Sequence, residues 1–272
     1  MDQEPVMNPL VSVLMTTYNR EKYITEAIES VLASSYEKLE LIIVDDVSSD
    51  RTLDIARKYE AKDARVKVFV NNENLGDYLN RNKAASYARG KYIKYLDADD
   101  IIYFYGLEVM VNYMERFPEA GFGLASIVSS EKPFPIVLSP REIYLENYNG
   151  YSHFDRAPGS SIIKLEAFNK VGGFSGKRMI GDFEFWFRIA RQFSMVKFPF
   201  DLYWNRTHEE QESKSTYAKL YPKLRREVYE SALSDPNCPL TREEITTVMR
   251  RIKKQDIKNT VLTKLIQVKK MI

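Results

Sequence analysis

Residues 91–100 read KYIKYLDADD, a short apolar stretch that ends in three carboxylates within four positions. Its isoleucine, leucine and tyrosines are typical of a largely buried β-strand. Carboxylates repel one another and are costly to remove from water, so Asp97, Asp99 and Asp100 at a strand end require an explanation. One is a divalent cation, because Mg²⁺ and Mn²⁺ prefer hard oxygen ligands. The other is a solvated acidic turn that precedes a helix.

The residues before this stretch alternate between strand and helix patterns. Strands are predicted at 11–15, 39–44 and 66–70. Each is followed by sequence compatible with a helix, the third of them over about 78–88. Short connections between such elements predict a parallel sheet with helices on both faces. The fold class is therefore α/β, and ligands of such sheets bind at the carboxyl ends of the strands.

Polar residues follow each of the four predicted strands. They are Thr16 to Tyr18, Asp45 and Asp46, Asn74 to Gly76, and Asp97 to Asp99. Four polar clusters at one predicted edge of a sheet indicate a binding site more strongly than any one of them. The sequence contains neither G-x-G-x-x-G nor G-x-x-x-x-G-K-[ST], so we do not expect a standard dinucleotide-binding or P-loop phosphate site. A bound diphosphate would need a metal ion and basic side chains such as Arg81 instead.

The second half of the chain alternates less regularly. A helix is predicted over 107–117, a strand at 160–163, a helix over 180–190 and strand-like sequence over 201–208. Asp182 lies at the start of the helix over 180–190, where a carboxylate can also cap the backbone N–H groups.

Composition limits the class of protein. The 272 residues are 44% hydrophobic and 29% charged, as in ordinary soluble domains, and the net charge of +2 gives no reason to expect nucleic acid as a partner. The single cysteine, Cys238, excludes an intramolecular disulfide. The N-terminus lacks the apolar core of a signal peptide, and no apolar run approaches the roughly 20 residues that span a bilayer. We expect a cytoplasmic protein.

Five motifs, taken in order, resemble glycosyltransferase family 2, the inverting nucleotide-sugar enzymes with the GT-A fold. They are VSVLMTTYNR (11–20), LIIVDDVSSDRT (41–52), Asn74-x-Gly76 with Arg81-Asn82-x-Ala84, GKYIKYLDADD (90–100), and GGF with GDFEFWFR (172–188), followed by RTHEEQES (206–213). The resemblance covers about residues 10–215. It implies one GT-A domain over 1–215, with a nucleotide-sugar half at 10–106 and an acceptor half at 107–215, and a helical basic extension at 216–272.

The resemblance also implies roles for individual residues. Asp182 would be the general base that deprotonates the acceptor hydroxyl. Asp99, helped by Asp97, would bind a divalent cation, Mn²⁺ or Mg²⁺, and His208 would contact that cation or the diphosphate. The donor would be a nucleoside-diphosphate sugar, most simply a UDP-sugar, and the acceptor a carbohydrate or lipid-linked glycan in bacterial polysaccharide or glycan biosynthesis. The residues expected to contact the donor are Thr16, Tyr18, Asp46, Asn74, Arg81, Asp97 and Arg206.

The chain departs from the family pattern at two positions. Gly181 stands where a glutamate commonly precedes the base, and this makes Glu184 a rival to Asp182. Val47 stands where a small residue such as glycine is usual after the aspartate pair. Two alternative functions stay open. One is a sugar-phosphate nucleotidyltransferase, which also uses a nucleotide-binding sheet and acidic metal ligands. The other, which the glycine at 181 leaves open, is a nucleotide-sugar-binding scaffold subunit that has lost its base.

The C-terminal segment over 241–272 is basic, with nine Lys or Arg and three Asp or Glu. Thr241 and Glu244 have the spacing of a capping box that opens a helix. Apolar residues of this segment form a stripe that either packs on the catalytic domain or a second subunit, or contacts an anionic membrane. They are Ile245, Val248, Met249, Ile252, Val261, Leu262, Leu265 and Ile272. Because family members often use lipid-linked acceptors, membrane contact would place the protein at the inner face of the membrane.

Overall fold

The computed structural model describes residues 8–126, 133–150, 153–199, 202–209 and 216–254. The strands are β1 (Val11–Thr17), β2 (Leu39–Asp45), β3 (Val66–Val70), β4 (Tyr92–Tyr95), β5 (Ile101–Ile102), β6 (Ala120–Ser126), β7 (Ile136–Leu138), β8 (Ser161–Lys164), β9 (Ser194–Pro199) and β10 (Tyr203–Trp204). The helices are α1 (Ile24–Leu32), α2 (Thr52–Glu60), α3 (Asp77–Ser86), α4 (Gly106–Glu115), α5 (Pro140–Tyr148), α6 (Leu165–Lys170), α7 (Gly181–Ala190) and α8 (Tyr221–Ser234).

Eight strands form one sheet in the order β3-β2-β1-β4-β8-β6-β9-β7. The pairs β3–β2, β2–β1, β1–β4 and β6–β9 are parallel, whereas β8 runs antiparallel to β4 and β6, and β7 antiparallel to β9. The prediction of an α/β fold with a mainly parallel sheet is confirmed. Of the segment predicted as strand over 201–208, only β10 pairs, in a two-residue ladder with β5.

The sheet is buried on both faces, which accounts for its continuous apolar strands. Side chains alternate between faces along a strand. On β1, Val13 and Met15 pack with α1 and α4 on one side, whereas Leu14 packs on the opposite side with α3, α6 and α7. Ile42 and Val44 of β2 join the second group. The two cores hold β1, β2 and β4 side by side, so their carboxyl ends meet.

A buried polar group lies at the opposite, amino end of these strands. The Ser12 hydroxyl donates to Glu40 Oε1 at 2.6 Å, and the Arg89 backbone N–H donates to the same oxygen at 2.9 Å. Arg89 Nη2 donates to Glu40 Oε2 at 2.6 Å. Burial favours the neutral acid, but the hydrogen bonds from Ser12 and Arg89 outweigh it, so the pKa of Glu40 is lowered. This carboxylate joins β1, β2 and the segment that leads into β4.

The C-terminal helices pack on the same core as α7. Val228, Ala232 and Leu233 of α8 are buried there. Residues 242–254 are helical, and the predicted capping box forms, because Thr241 N donates to Glu244 Oε2 at 2.9 Å and Glu244 N to Thr241 Oγ1 at 3.2 Å.

In the described part of the C-terminal segment, three of the four residues of the predicted stripe pack on the chain itself, whereas Met249 is exposed. Val248 is buried, and Ile245 and Ile252 lie against the same core. The rest of the predicted stripe, residues 255–272, lies outside the described residues. Among the helices that the structure describes, none combines the length and the apolar character that crossing a membrane requires.

Replacing Glu40 by glutamine removes a charged acceptor from a buried group, so we expect the free energy of unfolding at pH 7 to fall by about 1–3 kcal/mol. The pKa of Glu40 is lower in the folded protein, so its contribution is present above its unfolded pKa and is lost as the pH falls through the folded value. Urea unfolding at pH 7 and pH 4 measures both effects. Glu37→Gln, at an exposed position nearby, is the control; equal losses in the two variants would contradict this role.

Candidate active site

The loops that follow β1, β2 and β4 lie side by side at the carboxyl edge of the sheet. Asn19 N donates to Ser48 Oγ at 2.9 Å, which joins the first two loops. Of the predicted donor contacts there, Thr16 is half-buried at the end of β1, in register with Val44. The Tyr18 side chain is 49% exposed, so its ring is available to a ligand. The predicted meeting of polar clusters at one edge is what the structure shows.

Val47 adopts a φ of 65°, in the left-handed region. This conformation is unusual for a β-branched residue, and glycine adopts it without steric cost. Asp45 compensates by closing the turn, since its carboxylate accepts from Ser48 N at 2.9 Å and from Ser48 Oγ at 2.5 Å. The valine therefore keeps a turn of the kind that a glycine would form, at a cost in backbone strain.

Asp46 is buried and organises the loop after β3. Its carboxylate accepts from Asn71 Nδ2 at 2.7 Å, Leu75 N at 2.9 Å and Gly76 N at 2.9 Å. Asn74 Nδ2 donates to the Asp46 backbone oxygen at 3.0 Å, so these two predicted donor contacts are neighbours. An ionised carboxylate has about four acceptor sites. Three are used by the chain itself, which leaves about one for a ligand.

The carboxylates of Asp97, Asp99 and Asp100 offer ligand atoms that all lie within 4.8 Å of one another. Asp99 Oδ2 accepts from Arg20 Nε at 3.0 Å and lies 2.9 Å from His208 Nε2. The structure therefore brings together Asp99 and His208, the two residues predicted to contact a metal ion. It adds Arg20, to which the sequence analysis assigned no role.

Arg206 ties the segment after β10 to this cluster. Its Nε donates to the Asp99 backbone oxygen at 2.9 Å, and its backbone N–H donates to Asp100 Oδ1 at 3.0 Å. Its guanidinium also pairs with Glu26 and lies 5.1 Å from the Tyr23 ring centroid. The predicted basic loop is thus held beside the acidic turn.

Asp100 and Lys94, an acid and a base, are both buried at the acidic turn. Burial, followed by the negative charge of Asp97, raises the pKa of Asp100 to about 7. Lys94 of β4 is fully buried, and its ammonium group donates to the Tyr95 backbone oxygen at 2.8 Å and to the Gly159 oxygen. Burial lowers the pKa of Lys94 to about 7, although Asp100 and Asp97 act in the other direction. A lysine inside an apolar strand was the sequence signal for this group.

The acidic cluster fits a hard divalent cation. Its ligand atoms are carboxylate oxygens at the right mutual distance, with an imidazole nitrogen beside them. Asp97 Oδ1 is buried and makes no hydrogen bond of good geometry, although it lies 2.7 Å from Arg81 Nη2. Burial is the largest cause of the raised pKa of Asp100, and the negative charges of Asp97 and Asp99 add to it. A cation at Asp97 and Asp99 would supply the missing charge.

Asp182 lies in the first turn of α7, one residue after the helix begins. Its Oδ1 accepts from Phe183 N at 2.7 Å, but the N-cap position is occupied by Ile180, so Asp182 is not the cap of this helix. Burial raises the pKa of Asp182 to about 6, against the hydrogen bonds from Phe183 N and the Tyr78 hydroxyl. Asp77 raises this pKa further, and the positive charge of Arg81 lowers it.

Arg81 connects Asp182 with the acidic turn. It is 5% exposed, and it pairs with Asp77 at 2.8 Å and with Asp97 at 2.7 Å. The same guanidinium acts electrostatically on Asp182. Arg81 is therefore paired with Asp97 on the predicted donor side, and its charge also favours the ionised form of the predicted base.

Glu184, the rival to Asp182, points elsewhere. Its carboxylate lies 3.5 Å from Lys177 Nζ and 3.5 Å from Arg188 Nε. With these residues it lines a cavity of about 240 Å³ between α7 and α8, to which Leu224 and Val228 also contribute. Two residues along a helix are about 200° apart around its axis, which explains why the two carboxylates face different surroundings.

This chain is similar to known glycosyltransferases. The family model described as glycosyl transferase family 2 matches residues 12–180. A putative glycosyltransferase, EpsE of Bacillus subtilis, is 31% identical over 195 residues, which is 68% of this chain and 68% of that protein. The chain spans less than half the length of the curated relatives that it matches over shorter segments of about 100 residues.

Solved structures show the same fold. TarS residues 1–349 of S. aureus, in complex with UDP-GlcNAc, superposes with a TM-score of 0.68 at 22% identity, covering 88% of this chain and 70% of that one. The mannosyltransferase PcManGT of Pyrobaculum calidifontis, in complex with GDP-Man and Mn²⁺, gives a TM-score of 0.60 at 17% identity, covering 92% and 81%. The predicted GT-A fold is confirmed by this likeness.

Replacing Asp99 by asparagine removes one charged ligand from the proposed cation site. We expect Mn²⁺ to bind at least about 10-fold more weakly, because even residues that only orient metal ligands contribute that much. Isothermal titration of MnCl₂ into protein saturated with UDP measures the change. Asp54→Asn, at an exposed position on α2, is the matched control. Equal Mn²⁺ affinity in the two variants would mean that Asp99 is not a ligand.

Proposed function

We propose that this chain, which belongs to glycosyl transferase family 2, transfers a sugar from a nucleoside-diphosphate donor to an acceptor hydroxyl with inversion at the anomeric carbon. The observation that carries the proposal is the position of Arg81, which pairs with Asp97 and acts on Asp182. A donor held at the acidic turn and an acceptor beside Asp182 would therefore meet. Family membership favours sugar transfer over the nucleotidyltransferase alternative, and the Asp182 geometry argues against a scaffold that has lost its base.

The nucleoside would bind over the ends of β1 and β2. The exposed Tyr18 ring would flank the base, Thr16 would line the same surface, and the remaining acceptor site of Asp46 would take an N–H group. Asn74 would contribute through the loop that Asp46 holds. A UDP-sugar is the first donor to test, because the TarS neighbour was solved with UDP-GlcNAc.

The diphosphate would lie between the acidic turn and the basic side chains around it. Asp97 and Asp99, with His208, would hold Mn²⁺ or Mg²⁺. When bound, such a cation supplies positive charge to the oxygens of a leaving diphosphate. Arg20 and Arg206 both touch Asp99. Their guanidinium groups would contact the phosphate oxygens once a donor is present.

Asp182 would act as the general base. The acceptor hydroxyl would lose its proton to the Asp182 carboxylate while its oxygen forms a bond to the anomeric carbon. The bond from that carbon to the diphosphate oxygen would break on the opposite side, which inverts the centre. A base whose pKa is about 6 is deprotonated at neutral pH and is more basic than an ordinary aspartate.

The acceptor would be a carbohydrate or a lipid-linked glycan in polysaccharide or glycan biosynthesis. A lipid-linked acceptor would bring the chain to the inner face of a membrane, and the basic residues of 241–272 support contact with anionic lipid. Arg250, Lys253 and Lys254 are exposed, and so is Met249, while the other apolar residues of the same helix pack inward. The proposed donor half over 10–106 and acceptor half over 107–215 would meet at Arg81 and Asp182.

Replacing Asp182 by asparagine should lower kcat by about 100-fold to 10,000-fold, because the variant has the same shape and no base. Donor affinity should stay within about twofold, since Asp182 faces the acceptor side. Radiolabelled sugar transfer and titration of the donor nucleotide measure the two quantities. Glu184→Gln is the matched control on the same helix and should retain activity. Loss of activity in the Glu184 variant with retention in the Asp182 variant would reverse the assignment.

The pH dependence follows from the raised pKa of the proposed base. Asp182 accepts a proton as the pH falls through about 6, and a protonated carboxyl cannot act as a base. We expect kcat/KM to fall tenfold per pH unit below about 6 and to level off above it. Initial rates between pH 4.5 and pH 8.5 test this. A limb centred near pH 4, the range of an ordinary aspartate, would contradict it.

A further inference from the structure

Gly181, the residue before the proposed base, has no room for a side chain, whereas its backbone conformation does not require glycine. A Cβ built on Gly181 would lie 2.7 Å, 2.8 Å and 2.9 Å from three ring carbons of Tyr78. Distances under 3.0 Å require a neighbour to move, and here the neighbour is a buried ring. Any residue with a side chain at 181 would therefore displace Tyr78. The glycine at this position, where the family commonly has a glutamate, is thus explained by the position of the Tyr78 ring.

Packing against other residues restrains the Tyr78 ring. It belongs to α3, its side chain is buried, and its ring packs on that of Phe174 with centroids 5.3 Å apart. Hydrogen bonding by its hydroxyl lowers the pKa of Asp182, and the backbone N–H of Asp182 opposes the rise in the pKa of Tyr78. A phenol oxygen can donate and accept hydrogen bonds at once. The ring is therefore aimed at the carboxylate, and Gly181 is what lets it approach.

We propose that Tyr78 is the positioning residue of the general base, and that Gly181 is the space this tyrosine requires. The inference rests on the proposed role of Asp182. Two donors, Phe183 N and the Tyr78 hydroxyl, hold the carboxylate in one orientation. A carboxylate restrained in this way spends more of its time within reach of the acceptor hydroxyl.

Tyr78 also offsets the effect of burial on the base. Charged and titratable groups face Asp182 from two helices: Asp77, Tyr78 and Arg81 from α3, and Tyr221 from the start of α8. Burial and Asp77 favour the neutral acid, while the Tyr78 hydroxyl and Arg81 favour the carboxylate. Without the hydroxyl, burial and Asp77 would be opposed by fewer groups. The base would then be protonated over more of the neutral range.

Tyr78→Phe tests the proposal because it keeps the ring and removes only the hydroxyl. We expect the acid limb of kcat/KM to move up by about 1 pH unit, the size of a hydrogen bond to a charged group. Activity should be about fivefold lower at pH 6, where a pKa near 6 leaves half of the base deprotonated and a pKa near 7 leaves about a tenth. It should approach that of the wild type at pH 8.5, with donor KM within about twofold. Tyr92→Phe removes a buried hydroxyl that donates to Glu115 instead, and it should leave the limb in place.

Gly181→Ala is the second variant, and it disturbs the same contact between Tyr78 and Asp182 by displacing the Tyr78 ring. Its methyl group should push the ring away and move the limb in the same direction. The double variant with Tyr78→Phe should show no further shift, because both changes remove one interaction. This arm keeps the proposal testable if Tyr78→Phe folds poorly, which circular dichroism would reveal.

The outcomes separate this proposal from the one on which it rests. Full activity in Asp182→Asn would overturn the base and the positioning role together. An inactive Asp182→Asn, with an unshifted pH profile in both Tyr78→Phe and Gly181→Ala, would overturn only the positioning role. An equal loss of kcat at every pH would show that Tyr78 stabilises the fold and does not position the base.

Discussion

The site depends on a buried cation that several carboxylates must share. Arg81 is almost fully buried, and a buried guanidinium is tolerated only when it is paired. Burial disfavours its charge, but Asp77 and Asp97 outweigh that effect, and its pKa is raised. The pair with Asp97 joins α3 to the turn after β4, and the positive charge of Arg81 also lowers the pKa of Asp182 at the start of α7.

Around this cation the chain accepts several local costs. Val47 holds a left-handed conformation, Lys94 and Asp100 are buried with strongly shifted pKa values, and Asp182 is a carboxylate whose surroundings favour the neutral acid. Such costs are tolerated at functional sites when the surrounding structure holds them in place. Here the support comes from the buried sheet. Its two apolar cores, together with the hydrogen bonds of Ser12 and Arg89 to Glu40, hold the strands that carry the loops.

Some features were predictable because they are local. The alternation of strand and helix, the bounds of β3, and the capping box at Thr241 follow from periodicity and short-range hydrogen bonding. The carboxyl ends of β1, β2 and β4 had to meet once the strands were parallel. The antiparallel β8, which pairs with both β4 and β6 in the middle of the sheet, was not predictable, since its partners are set by contacts far along the chain.

The sequence by itself determined the family, the α/β architecture and the polar residues that end each strand, because these depend on residue type and spacing. Only the tertiary structure decided which side chains face one another. It separated Asp182 from Glu184, paired Arg20 with Asp99 across 79 residues of sequence, and placed the Tyr78 ring against Gly181. The physical reason is that burial, charge pairing and close packing depend on distance in space, which residue spacing does not encode for elements far apart in the chain.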